Sequence, residues 1–210
     1  MKTTNDAVLN YTKRLAQNVK LLKHHQDFIS DETTYVGMVS GHLCGKTTAL
    51  CYKAIDLATR NKEYPGIIVE PNRATIVNFL IPTLHSILNN LEIPHFYNNE
   101  LMCYELTFGS DNRRIYMVTG AEILSNVKVE NALAKFSWFG VDEIDVYKKD
   151  VAESIWDFLS SIVTPHNKAT QGFCVFTPYS EEPNFMYDFF VTNAGPDRKL
   201  ITSSTRYNLK

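Results

Sequence analysis

The stretch Tyr35–Tyr52, YVGMVSGHLCGKTTALCY, decides how the rest of the chain is read. A short apolar run, Tyr35 to Val39, stops at a small-residue loop and restarts as a helix-forming run from Lys46. A phosphate-cradling loop is built this way: backbone N–H groups turn inward, and the following helix aims the positive end of its dipole at the anion. Gly45-Lys46-Thr47 supplies close backbone approach, a cation for the outer phosphates and a hydroxyl for Mg²⁺. Where such loops carry their first glycine this chain has Ser40, with Gly41 beside it to tighten the turn. The same stretch also suits a strand, a turn and a helix with no ligand, so the remaining residues must decide.

At 210 residues and 44% hydrophobic composition, the chain fits one domain with an ample core. A formal net charge of −2 does not announce a nucleic-acid binder, so any such contact must come from a local patch. Lys13, Arg14, Lys20 and Lys23 form one candidate in an acid-free stretch between Asp6 and Asp27, although a solvated helix face has the same pattern. The cysteines Cys44, Cys51, Cys103 and Cys174 make no C-x-x-C pair, which argues against a zinc knuckle or a disulfide framework and for buried thiols. No run approaches the roughly 20 apolar residues that span a bilayer, and MKTTNDAVLN is no secretory signal. The expectation is a cytoplasmic protein without a membrane partner.

Apolar spacing predicts a helix over 6–23, and another from Lys46 to Arg60. Tyr64-Pro65-Gly66 turns the chain into a strand, Ile67 to Glu70, and Asn72 caps a helix from Arg73 to Leu91 that Pro82 should kink or break. Shorter strands follow near Pro94–Tyr97, Met102–Phe108 and Arg114–Thr119, with a hairpin turn at Gly109-Ser110-Asp111-Asn112. Further on, the pattern predicts a helix from Lys149 to Val163, a buried strand from Gly172, an aromatic-rich helix around Phe185–Phe190 and a last strand, Leu200 to Ser203. Such alternation argues an α/β fold with a mostly parallel central sheet flanked by helices on both faces.

The second chemical landmark is Phe136-Ser137-Trp138-Phe139-Gly140-Val141-Asp142-Glu143-Ile144-Asp145. An apolar run ending in adjacent acids reads as a buried strand that delivers carboxylates to the edge of the sheet where ligands of α/β folds bind. In a P-loop protein Asp142 would hold Mg²⁺ and Glu143 would orient and deprotonate an attacking water. Asp145 reads as a cap or a surface acid. Thr177, ending the strand Gly172–Phe176, could bond the γ-phosphate or the attacking water, although simple turn chemistry fits as well. Gln26 could meet an adenine edge, with an aromatic beside it to cover the ring, although a lone glutamine also suits plain surface.

With these four sites in order, the chain resembles the N-terminal ATPase domain of the large subunit of viral terminases, the DNA-packaging motors of tailed phages. His25-Gln26-Asp27-Phe28 resembles the adenine motif, Gly41 to Thr47 a deviant Walker A, and Val141-Asp142-Glu143 the Walker B with its catalytic glutamate. Thr177-Pro178 with Asn184-Phe185-Met186-Tyr187 resembles the coupling motif, and Thr205-Arg206-Tyr207-Asn208 the closing segment. The resemblance implies one P-loop NTPase domain of the ASCE type over 1–210, with 1–30 holding the N-terminal helix and adenine segment and 31–210 the core. It implies ATP and Mg²⁺ as cofactors, with Gln26, Ser40, Gly41, His42, Leu43, Cys44, Gly45, Lys46, Thr47 and Thr48 on the nucleotide. Thr47 and Asp142 would hold the metal, and Glu143, Lys46 and Thr177 would carry catalysis. Double-stranded DNA, a homo-oligomeric ring, a portal protein and a small terminase subunit are the implied partners, in the cytoplasm of an infected host cell.

Departures from the family pattern are local. His42 stands where an arginine is usual, a weaker and pH-dependent cation. Ala132-Leu133 stand where an Arg-Gly often precedes the Walker B strand, which leaves the trans-acting arginine finger unassigned among Lys128, Arg113 and Arg114. The chain ends before the family's nuclease, so the expectation is an ATPase fragment or a relative without that domain. The alternatives are another nucleic-acid-dependent P-loop enzyme, such as a helicase, and a nucleotide-binding adaptor that does not hydrolyse.

Overall fold

The computed structural model describes residues 21–125, 135–163, 170–178 and 184–203. The helix expected over 6–23 lies mostly outside them, as do Lys128, Ala132-Leu133 and Thr205 to Asn208. The described chain begins with α1 (Lys23–Ser30), β1 (Tyr35–Ser40), α2 (Lys46–Arg60) and β2 (Gly66–Glu70). Next come α3 (Arg73–Thr75), a π-helical turn (Ile76–Leu80), α4 (Ile81–Asn90) and the strands β3 (His95–Asn98), β4 (Cys103–Phe108) and β5 (Asp111–Thr119). After α5 (Gly120–Leu124) stand β6 (Trp138–Asp142), a 3₁₀ turn (Ile144–Val146), α6 (Lys149–Ile162) and β7 (Gln171–Phe176). Last are α7 (Phe185–Tyr187), a second π turn (Asp188–Thr192) and β8 (Arg198–Ser203).

The strands form one eight-stranded sheet in the order β3-β4-β5-β2-β6-β7-β1-β8. Only β4 runs against the others. The central strands β2, β6 and β7 are buried at every position, as the near-continuous apolar runs of parallel strands demand. One apolar layer gathers Leu50, Ile55, Leu84 and Trp138, and the other Val141, Ile155, Trp156 and Phe185, so the sheet is covered on both faces. With β7 between β1 and β6, the fold is that of a P-loop NTPase.

Two local features show how sequence becomes packing. The kink expected at Pro82 is a π turn just before it: the Ile81 N–H bonds to the Ile76 carbonyl, which accommodates a ring that cannot sit against an ordinary α-helical turn. At Gly66 a Cβ would stand 2.0 Å from Trp138 Cε2, so the buried indole occupies the space that any larger residue would need. All four cysteines are free and buried, as expected. No helix among the described residues is long and apolar enough to cross a membrane.

Candidate functional site

The site forms where the carboxyl ends of β1, β6 and β7 meet the start of α2. β1 releases the chain at Ser40, which is buried and has no hydrogen-bond partner for its hydroxyl. Leu43 (φ 60°) and Gly45 (φ 74°) then take left-handed backbone, curling the loop into the first turn of α2. His42 and Leu43 are exposed at the loop tip, while Cys44 is buried and Gly41, Thr47 and Thr48 are half-buried. The Lys46 ammonium folds back to donate to the Gly41 carbonyl at 3.2 Å and lies 3.4 Å from Glu143 Oε1.

β6 contributes the acids. Asp142 is buried; its Oδ2 accepts from the Thr47 hydroxyl at 2.7 Å, and its Oδ1 has no partner. Glu143 takes left-handed backbone (φ 49°), an uncommon conformation for a residue with a side chain. Its N–H is pinned to the Val175 carbonyl at 2.8 Å. Thr177, buried just beyond β7, donates to the Glu143 carboxylate, 3.3 Å from either oxygen. Two contact sets therefore stand side by side, Thr47 with Asp142 and both Lys46 and Thr177 with Glu143, held together by chain adjacency at Lys46-Thr47 and Asp142-Glu143.

Gln26 stands apart from that group: its amide donates to the Leu21 carbonyl at 2.8 Å on the exposed side of α1. Phe28 corrects the expectation of an aromatic free to cover a nucleobase. It is fully buried, edge-on to Phe173 at 6.1 Å, because the α1 helical turn points it into the core. Arg113 and Arg114 start β5, at the edge of the sheet opposite Glu70 and Asp142. They pair with Asp111 and Glu105, each at 2.9 Å, so neither reaches this chain's own loop.

Two further acids belong to the site's surroundings. Glu70 ends β2 as Asp142 ends β6, and the register of Val69 with Val141 sets the two side by side. It is buried with Oε1 unpartnered. Burial pushes both carboxyls up; the Asp142 charge raises Glu70 further, while at Asp142 the Thr47 hydrogen bond opposes the rise and the Glu143 charge adds to it. The sequence signal was available: an apolar run closing on an acid, the same pattern that singled out Asp142. Asp145 corrects the expectation of a cap or surface acid, because the 3₁₀ turn tucks it inward and neither carboxylate oxygen has a partner. Burial, then the Glu143 charge, raise it to about 7.

Crowding buried acids with open oxygens at one edge suits a site that receives a cation. Asp142 and Thr47 fit Mg²⁺, which takes one or two protein oxygens and leaves its remaining positions to water and phosphate. Among the described residues no cluster of three or more His, Cys, Asp or Glu is placed to hold a metal ion.

No protein-family model matches the chain. No curated protein sequence matches it either. Solved structures do, and they are mostly ATPase domains of phage large terminases. The Thermus phage P74-26 large terminase ATPase domain is 13% identical, with TM-score 0.66 over 93% of this chain and 84% of that one. The large terminase of the thermophilic bacteriophage D6E in complex with ATP-gamma-S is 9% identical, with TM-score 0.66 over 89% of this chain and 45% of that one. The N-terminal domain of the bacteriophage phi29 DNA packaging ATPase is 12% identical, with TM-score 0.57 over 80% of this chain and 84% of that one. At such identities the similarity establishes a shared fold, and the chain spans less than half of the D6E protein.

Proposed function

We propose that the chain is an ATP hydrolase, the motor domain of a terminase large subunit that drives double-stranded viral DNA into a procapsid. The observation that carries this reading is the convergence of Lys46, Thr47, Asp142, Glu143 and Thr177 from three separate stretches of sequence. The fold shared with a DNA packaging ATPase and with a large terminase solved with ATP-gamma-S supports the same substrate.

In this mechanism Lys46 and the loop amides bind the β- and γ-phosphates. Thr47 and Asp142 hold Mg²⁺, which when bound neutralises phosphate charge. Glu143 orients a water and takes its proton while the water oxygen bonds to the γ-phosphorus. The bond to the β–γ bridging oxygen then breaks, leaving ADP and phosphate. Lys46 now contacts Glu143. Phosphates arriving at Lys46 draw it away and leave the glutamate positioned by Thr177 alone. A homo-oligomeric ring that brings a neighbour's arginine to each site, with portal protein and small subunit as partners, completes the reading.

The test is ATP hydrolysis with Mg²⁺ at rising protein concentration, with and without long double-stranded DNA. Turnover that increases with concentration and with DNA supports a ring motor. Tight ATP binding without turnover under any of these conditions contradicts it and favours a nucleotide-binding adaptor.

A further inference from the structure

The phosphate loop is gripped from outside by α1. His25 is 5% exposed, and its Nε2 lies 2.7 Å from the Cys44 carbonyl oxygen. A carbonyl oxygen only accepts, so Nε2 carries the proton and donates. Burial lowers the His25 pKa, with the Cys44 bond opposing it more weakly, so the ring works as the neutral Nε2–H tautomer at neutral pH. The same ring lies against the loop backbone: a Cβ on Gly45 would stand 3.0 Å from His25 Cε1. α1 is itself tied down, because Lys53 of α2 donates to the carbonyls of Phe28, Ile29 and Asp31 at 2.9, 3.3 and 3.0 Å. The helix that opens on the phosphate loop and the helix that grips it thus form one unit.

Peptide geometry gives the grip a consequence. In a trans peptide the carbonyl and the N–H point in opposite directions, and no peptide among the described residues is cis. Drawing the Cys44 oxygen toward α1 turns the Gly45 N–H away from α1.

We propose that His25 is a positioning residue of the phosphate loop: its bond to Cys44 sets the Cys44–Gly45 peptide so that the Gly45 amide faces the phosphates of a bound nucleotide. This rests on the nucleotide-binding reading above. His25 acts through the backbone and touches no substrate atom, so its effect falls on ligands that carry a diphosphate. Adenosine, which lacks one, does not sense it.

The experiment is calorimetric titration of the chain with ADP and Mg²⁺, comparing wild type, His25→Gln and His25→Asn. A glutamine amide nitrogen reaches about where Nε2 stands, whereas the shorter asparagine does not reach the Cys44 oxygen. His25→Asn should weaken ADP binding about tenfold, the scale of one lost hydrogen bond, with His25→Gln within about threefold of wild type. Equal losses in the two variants overturn the proposal, since lost ring packing then explains both. Unchanged affinity in His25→Asn overturns it too. Wild-type protein that binds no ADP contradicts the nucleotide-binding reading itself, a separate failure. The wild-type protein gives a check without any substitution: nitrogen-15 spectra should show His25 protonated on Nε2, and an Nδ1–H tautomer would overturn the proposal.

Discussion

The Thr47 hydroxyl donates to Asp142 Oδ2 at 2.7 Å, joining residues 95 positions apart across the strand, β7, that separates β1 from β6. That bond occupies one carboxylate oxygen and leaves the other buried and open. On the proposed reading, that open oxygen is the one Mg²⁺ would take.

Asp142→Asn should therefore abolish the metal dependence of nucleotide binding without harming the fold. Titration calorimetry with ADP should give the variant one affinity, with or without Mg²⁺, equal to that of wild type in EDTA. Its melting temperature at pH 8 should be no lower than wild type, because the substitution removes a charge that burial strongly disfavours. A variant that still binds ADP more tightly with Mg²⁺ would remove Asp142 from that role.

Asp145 gives a pH signature. Its carboxyl titrates near 7 in the folded chain against an ordinary value of 3.8, so between those pH values the folded state holds more protons than the unfolded state. Stability from this group is present below 3.8 and is lost as pH rises through 7. Asp145→Asn, which stays neutral, should melt higher than wild type at pH 8, with the difference shrinking toward pH 5. Melting curves of nucleotide-free protein at both pH values check this; a difference independent of pH contradicts it.

Gly66→Ala tests the packing beneath the site. Its Cβ would fall 2.0 Å from the buried Trp138 ring, so the indole must move within a filled core. Overpacking of this kind costs about 1–3 kcal/mol. For a chain of this size that lowers the melting temperature by roughly 2–12 °C. An unchanged melting temperature would mean the indole repacks freely.

Much of this was legible in the sequence because it is written locally. The helix Lys46–Arg60 has the ends its pattern predicts, and the strands start and stop within a few residues of expectation. The acids of β6 announce themselves by closing an apolar run. What local pattern could not supply was adjacency. Glu70 becomes a neighbour of Asp142 only because crossovers set β2 beside β6. Asp145 turns inward only because Glu143 takes left-handed backbone and starts a 3₁₀ turn. Phe28 looked available to a base, yet the turn of α1 commits it to the core. His25 lay beside the glutamine that drew attention, and its contact with Cys44 spans 19 positions that no spacing rule connects.

Glu143→Gln keeps the size and hydrogen-bonding reach of the side chain while removing its ability to take a proton. The measurement is phosphate release from saturating ATP and Mg²⁺, with ATP affinity determined on the same samples. The variant should bind ATP at least as tightly as wild type and release phosphate at least about a hundredfold more slowly, the lower scale of general-base catalysis. Phosphate release at the wild-type rate, with ATP bound, would show that Glu143 is not the base and that the hydrolytic site lies elsewhere.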